Sequence, residues 1–448
     1  MYLLYRLLTA LSMTVVAPYF AVRGWRRREG AGVWRQRMGE LPPEMQAQRG
    51  SAVTPRDDGN CGPLWVHAVS VGEVLAASPL VEGLKRKFPG RAVFVSTTTE
   101  TGQRLARERL KGVESIFYFP VDWEVPVRRA LRTIQPAMVI IMETEIWPNF
   151  LREARRQNVR VVFVNARISQ KAFARFRRWR FAIGEFFRSA LGDADLFLAQ
   201  SAADAARLGE MGAADERVEV TGNLKYDGEP PAIGAFGEWL GAQIRQQERW
   251  PVVVAGSVVA EEEQAVLEAY DIVQRQWRRA LLVLAPRKPD RFDAAADIAA
   301  AGGWKVVRRS GVDMSAALDE NAEVVLLDSI GELAGLYSLA DAVFVGGSLV
   351  ASGGHNILEP AWFSRPPVFG PSMENFRDMA EQFLSARAGI QVKSGPQLGT
   401  VWTQLIEDAG VRERMGQAAR ELSERNRGST ARSLERIEAI LENKRIPA

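Results

Sequence analysis

Carboxylates, one lysine and a few arginines carry the chemistry open to this chain. Glu73 closes the turn Ser70-Val71-Gly72-Glu73, and Glu143 opens Glu143-Thr144-Glu145-Ile146-Trp147-Pro148-Asn149. Lys225 lies in Gly222-Asn223-Leu224-Lys225-Tyr226-Asp227. The second half offers Pro286-Arg287-Lys288-Pro289, then Asp328-Ser329-Ile330-Gly331-Glu332, then Gly353-Gly354-His355-Asn356-Ile357-Leu358-Glu359. A carboxylate can take a proton from an attacking hydroxyl, and cations and N–H donors can stabilise a departing phosphate. An ionised carboxylate such as Glu359 also accepts hydrogen bonds from ribose hydroxyls. Plainer readings exist for each: Glu73 as a helix-dipole partner, Lys225 as a surface lysine, the glycine pairs as a tight turn.

These groups gain meaning from the elements that must hold them. Apolar runs at 64–69, 92–97, 115–119, 138–142, 160–164 and 196–199 alternate with helical patterns. After a linker-like stretch at 226–237 the alternation restarts, with runs at 251–255, 280–285, 304–307, 323–327, 342–345, 366–369 and 389–392. Continuous apolar strands separated by helices predict parallel sheets covered on both faces, so the fold class is α/β with two Rossmann-like halves. In such sheets ligands collect beyond the carboxyl ends of the strands, and the polar groups named above follow such runs, the Lys225 group following the segment 218–221. The glycine pairs Gly346-Gly347 and Gly353-Gly354, just past the strand 342–345, are expected to present unpaired backbone N–H groups to a phosphate. The second half thus reads as a nucleotide face, with Arg287 and the helix-start amides at 330–332 for phosphate and Glu359 for ribose.

At 448 residues the chain exceeds one core, and 25% charged residues with a net charge of +4 give no uniform basic field for nucleic acid. One cysteine, Cys61, excludes an internal disulfide framework, and two histidines, His67 and His355, exclude a three-histidine metal site. Met1 to Val22 carries one charge, Arg6, and Arg23, Arg26, Arg27 and Arg28 follow. That pattern predicts an uncleaved membrane anchor, spanning or lying along the bilayer, with the remaining bulk on the cytoplasmic side. The helix at 173–191 begins by interleaving Lys171, Arg175, Arg177, Arg178 and Arg180 with Phe173, Phe176, Trp179 and Phe181. A membrane surface is its expected partner, against a core helix with solvated arginines.

Seven motifs, in order, resemble the bacterial 3-deoxy-D-manno-octulosonic acid (Kdo) transferases of lipopolysaccharide assembly: SVGEVLAASPL (70–80), METEIWPN (142–149), NARIS (165–169), GNLKYD (222–227), APRKPDR (285–291), SIGEL (329–333) and GGHNILEPA (353–361). The resemblance implies the GT-B glycosyltransferase fold, two Rossmann-like domains facing across a cleft. It divides the chain into an anchor helix (1–28), an acceptor-binding domain (29–228) and a CMP-sugar-binding domain with terminal helices (229–448). It implies inverting transfer of Kdo from CMP-Kdo to the lipid A disaccharide precursor, lipid IVA, at the cytoplasmic face of the inner membrane. No cofactor is expected beyond the donor substrate. Glu73 matches the family's catalytic base, and Glu143 and Lys225 match its transition-state stabilisers. Pro286, Arg287, Ile330, Gly331, Glu332, Asn356, Ile357, Leu358 and Glu359 match its CMP contacts. The chain departs from the family at GSTHxGEE, where it reads Gly256-Ser257-Val258-Val259-Ala260-Glu261-Glu262, which puts polar contacts from that loop in question. Lys288 replaces a common His, and Ile330 a common Met. Two rival readings remain: a soluble sugar-nucleotide epimerase on the same fold, and a non-catalytic membrane-tethered scaffold.

Overall fold

Strands appear at all thirteen apolar runs, and a fourteenth, Val218–Val220, forms where no run predicts one. In the computed structural model, described for Tyr5, Thr9, Leu11, 31–42, Met45 and 62–442, they build two seven-stranded, all-parallel sheets. The first contains β1 (Leu64–His67), β2 (Val93–Thr97), β3 (Ser115–Tyr118), β4 (Met138–Met142), β5 (Arg160–Ala166), β6 (Leu196–Ala199) and β7 (Val218–Val220). Its strand order is β3-β2-β1-β4-β5-β6-β7. The second contains β8 (Val252–Val258), β9 (Leu281–Pro286), β10 (Val306–Arg308), β11 (Val324–Leu326), β12 (Ala342–Val345), β13 (Val368–Phe369) and β14 (Ile390–Gln391), ordered β10-β11-β9-β8-β12-β13-β14. Both are doubly wound, and their order reverses between β1 and β4 and between β8 and β12. The crevice at such a reversal is where open α/β sheets bind ligands.

Burial explains the apolar composition of the central strands. Every residue of β1, β2, β4 and β12 is buried, as parallel strands covered by helices on both faces must be. Under the first reversal Trp65 packs against Phe117, Phe119 and Phe150, with ring centroids 5.3, 5.7 and 5.3 Å away. The Trp65 indole N–H donates to Ser96 Oγ at 2.7 Å, so its one polar atom is satisfied inside the core. His67 is wholly buried and stacks on Phe119 at 3.8 Å, and burial drives its pKa down to about 3. It is a neutral core ring.

The chain divides into two compact units: residues 1–228 together with 426–448, and residues 229–425. The last helix corrects the expected assignment of the terminal helices to the second domain. Of the helices that matter below, α1 is Val71–Lys87, α2 Pro148–Arg156, α3 Gln170–Leu191 and α4 Ser429–Leu441. α4 lies on α1, with Leu434 against Gly83 and Lys87 paired with Glu438 at 2.8 Å. Ile437, Ile440 and Leu441 join a core that includes β1, β2, β4, β5, β6 and α1. Those apolar side chains at i, i+3 and i+4 form the stripe that draws the helix back.

The expected anchor lies, apart from Tyr5, Thr9 and Leu11, outside the described residues. Tyr5 donates its hydroxyl to Asp122 Oδ2 at 2.8 Å, and Asn149 Nδ2 donates to Thr9 Oγ at 3.4 Å. Among the described residues no helix is long and apolar enough to cross a membrane.

Candidate active site

The reversal between β1 and β4 is flanked by carboxylates. Glu73 sits in the first turn of α1, just beyond β1, and Glu143 directly follows β4. Glu73 is 7% exposed. Its Oε2 accepts the Val69 N–H at 2.9 Å, and its Oε1 accepts the Ser70 hydroxyl at 2.9 Å. Burial, reinforced by the negative charge of Glu143, pushes its pKa up to about 7 despite those two hydrogen bonds. Such a carboxyl is poised to exchange a proton near neutral pH.

Glu143 adopts a left-handed backbone, φ 54°, and its N–H still pairs with Val164 O at 2.9 Å. The turn points the side chain back toward Lys225, whose Nζ lies 3.9 Å from Glu143 Oε1. Burial lowers the Lys225 pKa, opposed by Glu143 and Glu73, so all three side chains share one electrostatic cluster. Glu145 belongs to it too: burial and then Glu143 raise its pKa. Lys225 is carried by a short 3-10 turn, Leu224–Asp227, and three neighbours fix it. Asn165 Oδ1 accepts the Leu224 N–H at 3.0 Å, Asn223 Oδ1 accepts the Lys225 N–H at 3.0 Å, and Gln200 Oε1 accepts from Asn223 Nδ2 at 3.2 Å. Asn165 lies at a register shift in β5, with φ 59°, which re-aims its side chain across the strand ends.

In the second unit, Pro286 ends β9 and the exposed Arg287 follows, its N–H bound to Val258 O at 2.8 Å. The charge of Arg287 acts on both His355 and Glu359. Burial pushes the Glu359 pKa up to about 7, against the pull of Asn356 and Arg287. Asn356 Oδ1 accepts the Leu358 N–H at 3.2 Å and starts the short helix Leu358–Ala361, while Ile357 and Leu358 are buried. Ile330 is 70% exposed and Gly331 has φ 95°. The Glu332 carboxylate is gripped by Arg309, Nε to Oε2 at 3.0 Å and Nη2 to Oε1 at 3.1 Å, so its charge is already paired. The helix expected to open there runs only Leu333–Leu336.

One expectation fails. The N–H groups of the Gly346-Gly347 turn are not offered to a phosphate: Gly346 gives its own to Gly256 O at 2.8 Å, and that of Gly347 is taken by the wholly buried Glu262 carboxylate. Its Oε2 accepts from Gly347 at 2.6 Å and Val259 at 3.1 Å, and its Oε1 from Ser348 at 2.8 Å and Leu349 at 2.7 Å. Gly354 N–H is bound to Gly347 O at 2.7 Å. The nest exists, but the protein supplies its own anion. The same contacts give Val258 and Val259 backbone roles within the loop. Val258 is buried in β8 and its carbonyl holds Arg287, and Val259 serves Glu262 through its amide.

His355 Nδ1 lies 2.7 Å from Gly346 O and so carries the proton, and burial keeps the ring neutral. The ring covers Gly347, which has φ 65° and where a Cβ would stand 2.3 Å from it. Gly347→Ala is therefore expected to lower stability by roughly 2 kcal/mol, from backbone strain plus overpacking, read from the urea midpoint. An unchanged midpoint would show that the ring yields freely.

Residues 33–228 match the family model described as 3-Deoxy-D-manno-octulosonic-acid transferase (kdotransferase). A 3-deoxy-D-manno-octulosonic acid transferase of Bordetella pertussis is 34% identical over 440 residues, covering 96% of this chain and 97% of the relative. One of Haemophilus influenzae is 32% identical over 402 residues, covering 88% and 90%. Among solved structures, UDP-GlcNAc 2-epimerase from Neisseria meningitidis bound to UDP-GlcNAc has a TM-score of 0.53 at 13% identity, covering 84% of this chain and 99% of that one. That likeness concerns the fold alone, which sugar-nucleotide enzymes of different chemistry share. The chain is a glycosyltransferase with two parallel-sheet α/β domains of GT-B type, and it belongs to the 3-deoxy-D-manno-octulosonic acid transferase family.

Proposed function

We propose that the protein moves Kdo from CMP-Kdo onto the lipid A precursor lipid IVA, with inversion at the anomeric carbon, at the cytoplasmic face of the bacterial inner membrane. Glu73 removes the proton from a glucosamine hydroxyl of the acceptor. The oxygen forms its bond to the Kdo anomeric carbon as the bond to the CMP phosphate breaks. Lys225, held by Glu143, faces the Kdo carboxylate or the charge developing near it. Arg287 and the backbone at Ile330, Gly331 and Glu332 receive the phosphate. Asn356, Ile357, Leu358 and Glu359 receive the cytidine ribose. The observation that carries this reading is Glu73: a buried carboxyl at the strand-order reversal, with its pKa near 7, in a chain of the Kdo transferase family.

The lipid acceptor is favoured by α3. Of its 22 residues only Phe176, Ala190 and Leu191 are buried, and Trp179 and Phe181 are 56% and 95% exposed amid Lys171, Arg175, Arg177, Arg178 and Arg180. Exposed aromatics among cations suit an anionic membrane surface.

The test is transfer of radiolabelled Kdo from CMP-Kdo to lipid IVA by the full-length protein, with the product weighed by mass spectrometry. A lipid product heavier by whole Kdo units is the expected result. Turnover of UDP-GlcNAc without lipid, and no labelled lipid, would favour the epimerase instead.

A further inference from the structure

We propose that Ser70 is the positioning residue of the Glu73 carboxylate, holding it by donating its hydroxyl proton in place of capping α1. This rests on the reading of Glu73 as the base.

The sequence Ser70-Val71-Gly72-Glu73 has the form of a capping box, with serine at the N-cap and glutamate three residues on. In the usual box the serine oxygen accepts a helix N–H and the glutamate reaches back to the N–H of the cap residue itself. Here Ser70 has the extended backbone of an N-cap, φ −119° and ψ 171°, yet its side chain accepts no helix N–H. The hydroxyl instead donates to Glu73 Oε1 at 2.9 Å. Glu73 Oε2 reaches one residue further back than the box requires, to the Val69 N–H at 2.9 Å. The helix forgoes its side-chain cap, and both carboxylate oxygens are tethered.

The tether is itself braced. Val69 O accepts the N–H groups of Thr98 and Thr99, each at 3.3 Å, and the Thr99 hydroxyl at 3.2 Å. Gly102 N–H returns to Thr99 Oγ at 3.1 Å. The loop after β2 thereby braces Val69, the residue whose N–H Glu73 accepts. An ionised carboxylate has about four lone-pair directions. Val69 and Ser70 engage one on each oxygen, and one on each is left for an acceptor hydroxyl.

Hydroxyl donation favours the ionised form, the form a base needs. The other charged groups acting on Glu73 are Glu143 and Glu145 from the loop after β4 and Lys225 from its 3-10 turn, with Arg167 beside Lys225. None of these changes when Ser70 is replaced.

The experiment measures kcat, KM for CMP-Kdo and thermal unfolding of the full-length Ser70→Ala and Ser70→Thr proteins across pH. Ser70→Ala is expected to move the acid limb of kcat/KM up by about 0.5–1 pH unit and to lower kcat at pH 7 about tenfold. KM for CMP-Kdo should stay near wild type, and since no cap bond is lost the unfolding temperature should match wild type below about pH 7 and fall only above it, where the raised Glu73 pKa costs stability. Ser70→Thr keeps a hydroxyl and should restore the limb. A wild-type acid limb in Ser70→Ala, or a drop in unfolding temperature with no change in the limb, overturns the proposal. Glu73→Gln run beside it separates the two failures. If Glu73→Gln keeps full activity, the base assignment falls; if Glu73→Gln is inactive while Ser70→Ala has the wild-type limb, only the role of Ser70 falls.

Discussion

Glu73→Gln is expected to lower kcat by about 10²–10⁴-fold, the usual loss when a positioned general base is removed. The amide has nearly the same shape but accepts no proton. KM for CMP-Kdo should change little, because the donor contacts proposed here lie on the second unit. The wild-type rate should fall about tenfold per pH unit below pH 7, where Glu73 carries its proton, and should level off above it. The limb belongs to Glu73, whose pKa is held up first by burial and then by the negative charges of Glu143 and Glu145. The same group also costs stability. Between its unfolded pKa of 4.5 and its folded value of about 7 the folded chain holds a proton that the unfolded chain has released, so stability falls as pH rises through that window. Glu73→Gln should flatten this decline while slowing transfer by the factor above. Single-turnover transfer and thermal unfolding, both followed across pH, check the two halves. Substantial activity in the glutamine variant would remove Glu73 from the reaction.

Glu262→Ala is expected to cost roughly 3–5 kcal/mol of stability, the scale for stripping one partner from a buried, charge-assisted set. The substitution leaves the N–H groups of Val259, Gly347, Ser348 and Leu349 without their acceptor in a site closed to solvent. Glu262→Gln should lose less, since one of the two oxygens remains. Equilibrium denaturation in guanidinium measures both. Donor affinity should drop with stability, because the loop held by Glu262 leads directly into Gly353-Gly354-His355-Asn356. A midpoint within experimental error of wild type would mean that water satisfies these amides.

Glu262 marks where sequence reasoning stopped short. The glycine pairs and the strand before them correctly announced a backbone nest, but nothing local in the sequence says which anion fills it. Its acceptor comes from more than 80 residues earlier in the chain, across β8 and β12. The strands were legible because burial on both faces demands unbroken apolar runs, and the strand-end rule then found Glu73, Glu143 and Arg287. The Glu143–Lys225 pair was not legible as a contact, since it depends on a left-handed turn at Glu143 and on Asn165 reaching the Leu224 amide. α4 was recognised as a helix, but its apolar stripe does not name the unit that receives it. The partner of the Ser70 hydroxyl in Ser70-Val71-Gly72-Glu73 was not legible either. The stretch is spelled like a capping box, and only the geometry reveals the hydroxyl pointing its proton the other way.

The return of α4 has a consequence for synthesis. Asp227, where the chain leaves the first unit, accepts the Gly428 N–H at 2.6 Å and also the Thr430 N–H, where the chain comes back. A ribosome will have made every strand of the first sheet by residue 220, yet the groove beside Gly83 waits about two hundred codons for Leu434 and Ile437. The unit begun first is therefore completed last, and its unfilled groove is a surface that chaperones can meet on the nascent chain.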